Sequence, residues 1–213
     1  MQYMTRHAKY ARRPFLAWAA SLMLHLSLVS AVHAATKVDV PVQALITPAP
    51  CTVQLTGLTG GVLDLGSQTS ESLSAAGAVV GGKSFNVSLT QCGGDIGTTV
   101  PTITVSGETV GAAVTGGDFL FRDTASSTAE NVGFIFHFGG TSVTWPDTDA
   151  TTKKNLKNGS VINLTANTEG AVLPATWKTT PIPVGVAVST GGSASGLVAG
   201  DLQAKVTFTF DYQ

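Results

Sequence analysis

The side chains that carry chemistry are few and poorly placed for it. Three of the four histidines lie at or before residue 33, which leaves His137, and the only cysteines are Cys51 and Cys92. Two cysteines and one histidine do not make an ordinary zinc site or an iron–sulfur centre. His137 has no base or nucleophile close to it in sequence, so no triad can be assembled around it. Gly192-Ser-Ala-Ser-Gly196 misses the G-x-S-x-G spacing of a nucleophile elbow. The acids are scattered rather than paired across a substrate bond, as glycosidase chemistry requires. Asp147-Thr-Asp149 lacks the turn glycine and closing glutamate of a calcium loop and reads as solvated. Trp145 and Trp177 could stack on a sugar, but two isolated tryptophans read more simply as packing anchors. Neither an enzyme nor a cofactor is expected.

The chemistry that remains is oxidation of the cysteine pair, and the N-terminus says where that would occur. Arg6, Lys9, Arg12 and Arg13 precede an apolar run from Phe15 to Val29, followed by Val32-His33-Ala34. This is the order of a secretory signal peptide cleaved after Ala34. The run is short for a bilayer span, which needs about 20 residues, and no membrane span is expected in the mature chain. Export favours joining Cys51 to Cys92. A bridge closing about forty residues is worth about 3–4 kcal/mol in the chain-entropy model.

Charge excludes a further class. The 12 Lys and Arg and 13 Asp and Glu make up 12% of the chain. Four of the cations and none of the acids precede residue 35, so eight cations face thirteen acids beyond it, a balance of −5. Nothing there neutralises a phosphate backbone, and no nucleic-acid partner is expected.

The elements that must position these residues read as strands. The chain has 24 Gly and no window of sustained helical apolar spacing. Short alternating or β-branched runs between glycine-rich turns predict strands at Thr52–Leu58, Val62–Leu65, Ser84–Gln91, Thr102–Ser106, Val132–Phe138, Ser160–Ala166, Ile182–Val188 and Leu202–Tyr212. Ser67–Lys83, Gly111–Asp118, Ala125–Asn131, Thr148–Gly159 and Thr190–Gly200 read as loops. One all-β sandwich or barrel domain follows. Phe134, Phe136 and Phe138 alternate toward a core, with Ile135 and His137 on the opposite face, and His137 is expected at an edge or surface. The last strand puts Leu202, Ala204, Val206, Phe208, Phe210 and Tyr212 on one face. Before Cys51, Val38, Val40, Val42, Ala44 and Ile46 alternate with Lys37, Asp39, Pro41, Gln43 and Leu45. Pro41 cannot donate to a ladder, so that stretch is an edge strand or a tail that pairs elsewhere.

These features together resemble the chaperone–usher fimbrial subunits of the type 1 pilin family. The resemblance runs through nearly the whole mature chain. It is carried by the alternating tail, Cys51-Thr-Val, Asp64-Leu-Gly66, Phe85-Asn-Val-Ser-Leu-Thr-Gln-Cys92, Val132-Gly-Phe134, Gly200 fourteenth from the end and the penultimate Tyr212. It implies an incomplete immunoglobulin-like β-sandwich that lacks its last strand and is completed by a donor strand. Residues 1–34 would be the signal peptide, 35–50 the donor-strand extension and 51–213 the pilin domain. Val38, Val40, Val42, Ala44 and Ile46 would be the donor residues. Gly200, Leu202, Ala204, Val206, Phe208, Phe210 and Tyr212 would line the acceptor groove. A periplasmic chaperone, an outer-membrane usher and neighbouring fimbrial subunits are the implied partners, and the bacterial surface fimbrium is the implied location. Asn86-Val-Ser, Asn158-Gly-Ser and Asn163-Leu-Thr match the glycosylation pattern but carry no weight in a bacterial setting.

The tail suits insertion as an added strand on physical grounds as well, because main-chain hydrogen bonds give affinity and alternate side chains fill pockets. Burying Val38, Val40, Val42 and Ile46 comes to roughly 6 kcal/mol before ordering costs. Head-to-tail donation does not close on itself and yields a filament. The tail departs from the family in having no glycine between Thr36 and Pro50 and in containing Pro41. The mature length fits one domain, without a second receptor-binding domain. The competing expectation is a single-domain surface adhesin or ligand-binding sandwich that does not polymerise and is indifferent to loss of its tail.

Overall fold

The computed structural model describes residues 49–93, 99–146, 155–165 and 177–213. The expected signal peptide, the alternating tail and Asp147-Thr-Asp149 lie outside these residues. Among these residues seven strands are formed: β1 (Thr52–Thr56), β2 (Val79–Thr90), β3 (Pro101–Gly107), β4 (Gly133–Phe138), β5 (Val161–Asn163), β6 (Ile182–Ser189) and β7 (Val206–Tyr212). They make two antiparallel sheets, ordered β1-β2-β6-β4 and β5-β3-β7. The two inner faces share one core. Phe85 and Phe208 meet edge-to-face across it at 5.8 Å, and Val87, Ile103, Val105, Phe138, Ile162 and Val184 are wholly buried. The all-β sandwich expected from the sequence is therefore the fold. Cys51 and Cys92 are joined, closing a separation of 41 residues, so the end of β1 is tied to the end of β2, its neighbour.

Four local readings need correction. The expected strand Val62–Leu65 is not formed. Thr59 and Val62 make only an isolated bridge, because no strand lies alongside this segment among the described residues. The expected loop Ser67–Lys83 ends early, since β2 starts at Val79. Gly81-Gly82, inside that expected loop, accommodate an irregularity within β2, where the register to β6 shifts between Val80 and Lys83. Regular pairing of the last strand begins at Val206 rather than Leu202. His137 is buried, 3% exposed, rather than at an edge or surface. Its sheet face is covered: Leu120, Ile135 and Ala187 form a second small core with Val110, Val114, Val143 and Trp145 packed on them. The His137 ring nitrogen Nδ1 hydrogen-bonds the Ser142 carbonyl.

The tryptophans serve packing. Trp145 is half-buried and meets Phe119 edge-to-face at 5.7 Å. Trp177 is 7% exposed and lies 6.3 Å from Phe210.

Candidate functional site: an open flank along the last strand

The alternation of the C-terminal stretch decides what faces the flank. Leu202, Ala204 and Val206 are half-buried and Phe208 and Phe210 are buried, while Asp201, Gln203, Lys205, Thr207, Thr209 and Asp211 are exposed. The even-numbered side chains thus point inward along the whole stretch, as a two-residue period requires.

Backbone hydrogen bonds follow the same parity. β7 pairs with β3 in a register that sets Thr207 opposite Ser106, Thr209 opposite Thr104 and Asp211 opposite Thr102. Gln213 and Val100 exchange bonds of 2.7 and 2.9 Å. In an antiparallel ladder alternate opposite pairs exchange both bonds, so the odd-numbered residues face β3. N-terminal to β7, a loop takes over from β3. Asp201 donates to Thr128 Oγ1 at 2.8 Å and accepts from Thr128 and Ala129, both at 2.9 Å. Gln203 donates to Ser127 Oγ at 2.9 Å and accepts from that hydroxyl at 3.0 Å and from Asp123 at 2.8 Å. The even-numbered residues Leu202, Ala204, Val206 and Phe208 therefore aim both N–H and C=O at the other edge. Among the described residues β3 is the only strand neighbour of β7.

That edge opens onto a groove of about 880 Å³. One wall is the stretch from Leu197 to Phe208, and the other is formed by residues 61–66 together with Leu55 and Leu58. Its floor is the inner face of the four-stranded sheet: Phe85 of β2, Phe134 and Phe136 of β4, and Val186 and Val188 of β6. The second wall is shaped by Asp64-Leu65-Gly66. Asp64 Oδ1 accepts from the Gly66 N–H at 2.8 Å, Gly66 sits at φ 71° where only glycine is unstrained, and Lys83 Nζ reaches the Asp64 carbonyl. Val62 at 63%, Val198 at 44% and Leu55 at 40% exposure lie on the groove. Among the described residues its charged lining is Asp64, Asp201 and Lys205.

Of the seven residues expected on an acceptor groove, Gly200, Leu202, Ala204, Val206 and Phe208 line this one. Phe210 and Tyr212 do not. They pack against one another at 5.0 Å, on the part of β7 beyond the groove. β1 lies against β7, and the groove opens where the chain leaves β1. Gly200 has a steric role at the other end: a Cβ there would stand 2.4 Å from Thr128 Oγ1 and 2.7 Å from the Ala129 nitrogen. The opposite wall has no signature of its own in the sequence, where its Val62-Leu-Asp-Leu65 run has the residue types of a strand. The Ser127–Ala129 clamp left no signal beyond a polar loop.

No family model matches the sequence, and no curated protein matches it. Among solved structures, the chain is similar to the P pilus rod subunit PapA, with a TM-score of 0.49 and 17% sequence identity over 82% of this chain and 100% of that one.

Proposed function

We propose that the chain is a structural fimbrial subunit that polymerises head-to-tail by donor-strand exchange after chaperone- and usher-assisted export, contributing to adhesive surface fibres. The observation that carries this reading is the coincidence of two requirements at one place. Among the described residues nothing pairs the main-chain donors and acceptors that Leu202, Ala204, Val206 and Phe208 turn to the groove, and the groove offers an apolar floor with the period of a strand. A small molecule would use the floor and leave the main-chain groups unpaired. An extended peptide with alternate apolar side chains satisfies both, and the segment Val38–Ile46 has that pattern. An open edge of this kind is otherwise a site of unwanted pairing, which gives a chaperone its reason to cover the groove during export.

The test is thermal unfolding of residues 50–213 with and without a peptide of residues 35–49. The truncated chain is expected to melt low and to be raised strongly by the peptide. A truncated chain that is already stable and ignores the peptide would overturn the reading and favour a free-standing binding module.

A further inference from the structure

Given that reading, the groove also constrains how the tail lies in it. We infer the register of that tail: in residues 36–44 of a second copy, laid antiparallel to β7 as donor-strand exchange requires, Asp39 stands directly opposite Lys205.

Pro41 fits that direction. The apolar tail residues are even-numbered and must face inward, opposite the even-numbered residues of the β7 wall. In an antiparallel pairing, directly opposite residues exchange their bonds, so Val38, Val40 and Val42 would serve Val206, Ala204 and Leu202. Pro41 would then turn its missing N–H away from β7. In a parallel pairing the bonds are slanted to the flanking residues, so odd-numbered tail residues would serve the β7 edge. Pro41, having no N–H, would leave one wall carbonyl without its donor.

Register follows from charge and from where the tail ends. On the outward face the tail carries Lys37 and Asp39, and the wall carries Asp201 and Lys205, both exposed. Setting Asp39 opposite Lys205 places Lys37 beside Thr207 and Ala44 beside Gly200. Thr36 then meets Phe208, the last β7 residue on the groove. Cleavage after Ala34 would leave a single residue beyond that point. Sliding the tail two residues one way sets Lys37 against Lys205, and like charges directly opposite are destabilising. Sliding it two residues the other way drives Thr36 past the groove to Phe210, which is buried, and sets Pro41 against Lys205.

The test uses the mature chain, residues 35–213, with paired cysteines. Asp39 and Lys205 would form a non-hydrogen-bonded pair, the geometry in which opposite side chains come closest. Asp39→Cys with Lys205→Cys, and Lys37→Cys with Thr207→Cys, are each expected to give a ladder of disulfide-linked oligomers without reductant. A ladder from Pro41→Cys or Lys37→Cys with Lys205→Cys, from Lys37→Cys with Gln203→Cys, or from none of these in a chain that still assembles, overturns the register. A chain that stays monomeric without any substitution overturns both the register and the fimbrial reading. Charge reversal gives a second readout: Lys205→Asp is expected to weaken assembly roughly three- to fivefold, the scale of an exposed pair, and Asp39→Lys in the same chain to restore it. Equal assembly by the single and double variants counts against the pair.

Discussion

Two of the sandwich's edge strands, β4 and β7, start alike and end differently. At the β4 edge, Phe134 exchanges bonds of 2.8 and 2.9 Å with Phe121, and the Phe136 carbonyl accepts from Leu156 at 2.9 Å. The covering segment inserts Phe121, wholly buried, edge-to-face on Phe136 at 5.1 Å. At the β7 edge, inward residues of similar apolar character have no such cover among the described residues and remain half-exposed from Leu202 to Val206. The described loops thus close the β4 edge and leave the β7 edge uncovered.

The largest effect expected from this contrast is at the closed edge. Phe121→Ala should cost about 3–5 kcal/mol, the usual range for a buried phenylalanine, read as a loss of denaturation midpoint. Reducing Cys51–Cys92, or replacing both with Ser, should cost about 3–4 kcal/mol, measured by melting with and without reductant. Gly200→Ala should cost about 1–3 kcal/mol through overpacking against Thr128 and Ala129, with the melting point as the measure. The smallest effect on the isolated chain is at the open edge. Val206→Ala, at a half-buried position, should cost under about 1 kcal/mol alone, yet remove more than that from peptide-induced stabilisation. A Val206→Ala variant as damaging as Phe121→Ala in the isolated chain would erase the distinction between the edges.

The same contrast explains what was legible in the sequence. Leu202–Tyr212 was readable because its period of two is imposed by the strand itself and persists even where β3 gives way to the 123–129 loop. The bridge between Cys51 and Cys92 was readable because they are the only two cysteines of the chain and the N-terminal pattern leads one to expect export. The position of His137 was not, because its burial depends on residues 110–120 and 141–145 folding over the outer face of β4, a tertiary event with no local signature. The start of β2 was hidden by Gly81-Gly82, whose type marks turns more often than irregular strands. For Val62–Leu65 the residue types describe a strand, but pairing needs a neighbour, and the described residues supply none. Half the groove was therefore visible as β7, and its opposite wall only as a strand that does not form.

The bridge at Cys51 has a mechanical consequence. In a fibre built through the tail, tension would enter each domain at residue 50 and reach β1, an edge strand whose strand partner among the described residues is β2. Cys92, just past the β2 end that pairs with Thr52, shares that point of entry through the bridge. Load would therefore divide between β1 and a strand flanked on both sides, so β1 could not be peeled off singly. The β2–β6 pairing would then share the load at this end of the domain, and a reduced subunit should yield at lower force than an oxidised one.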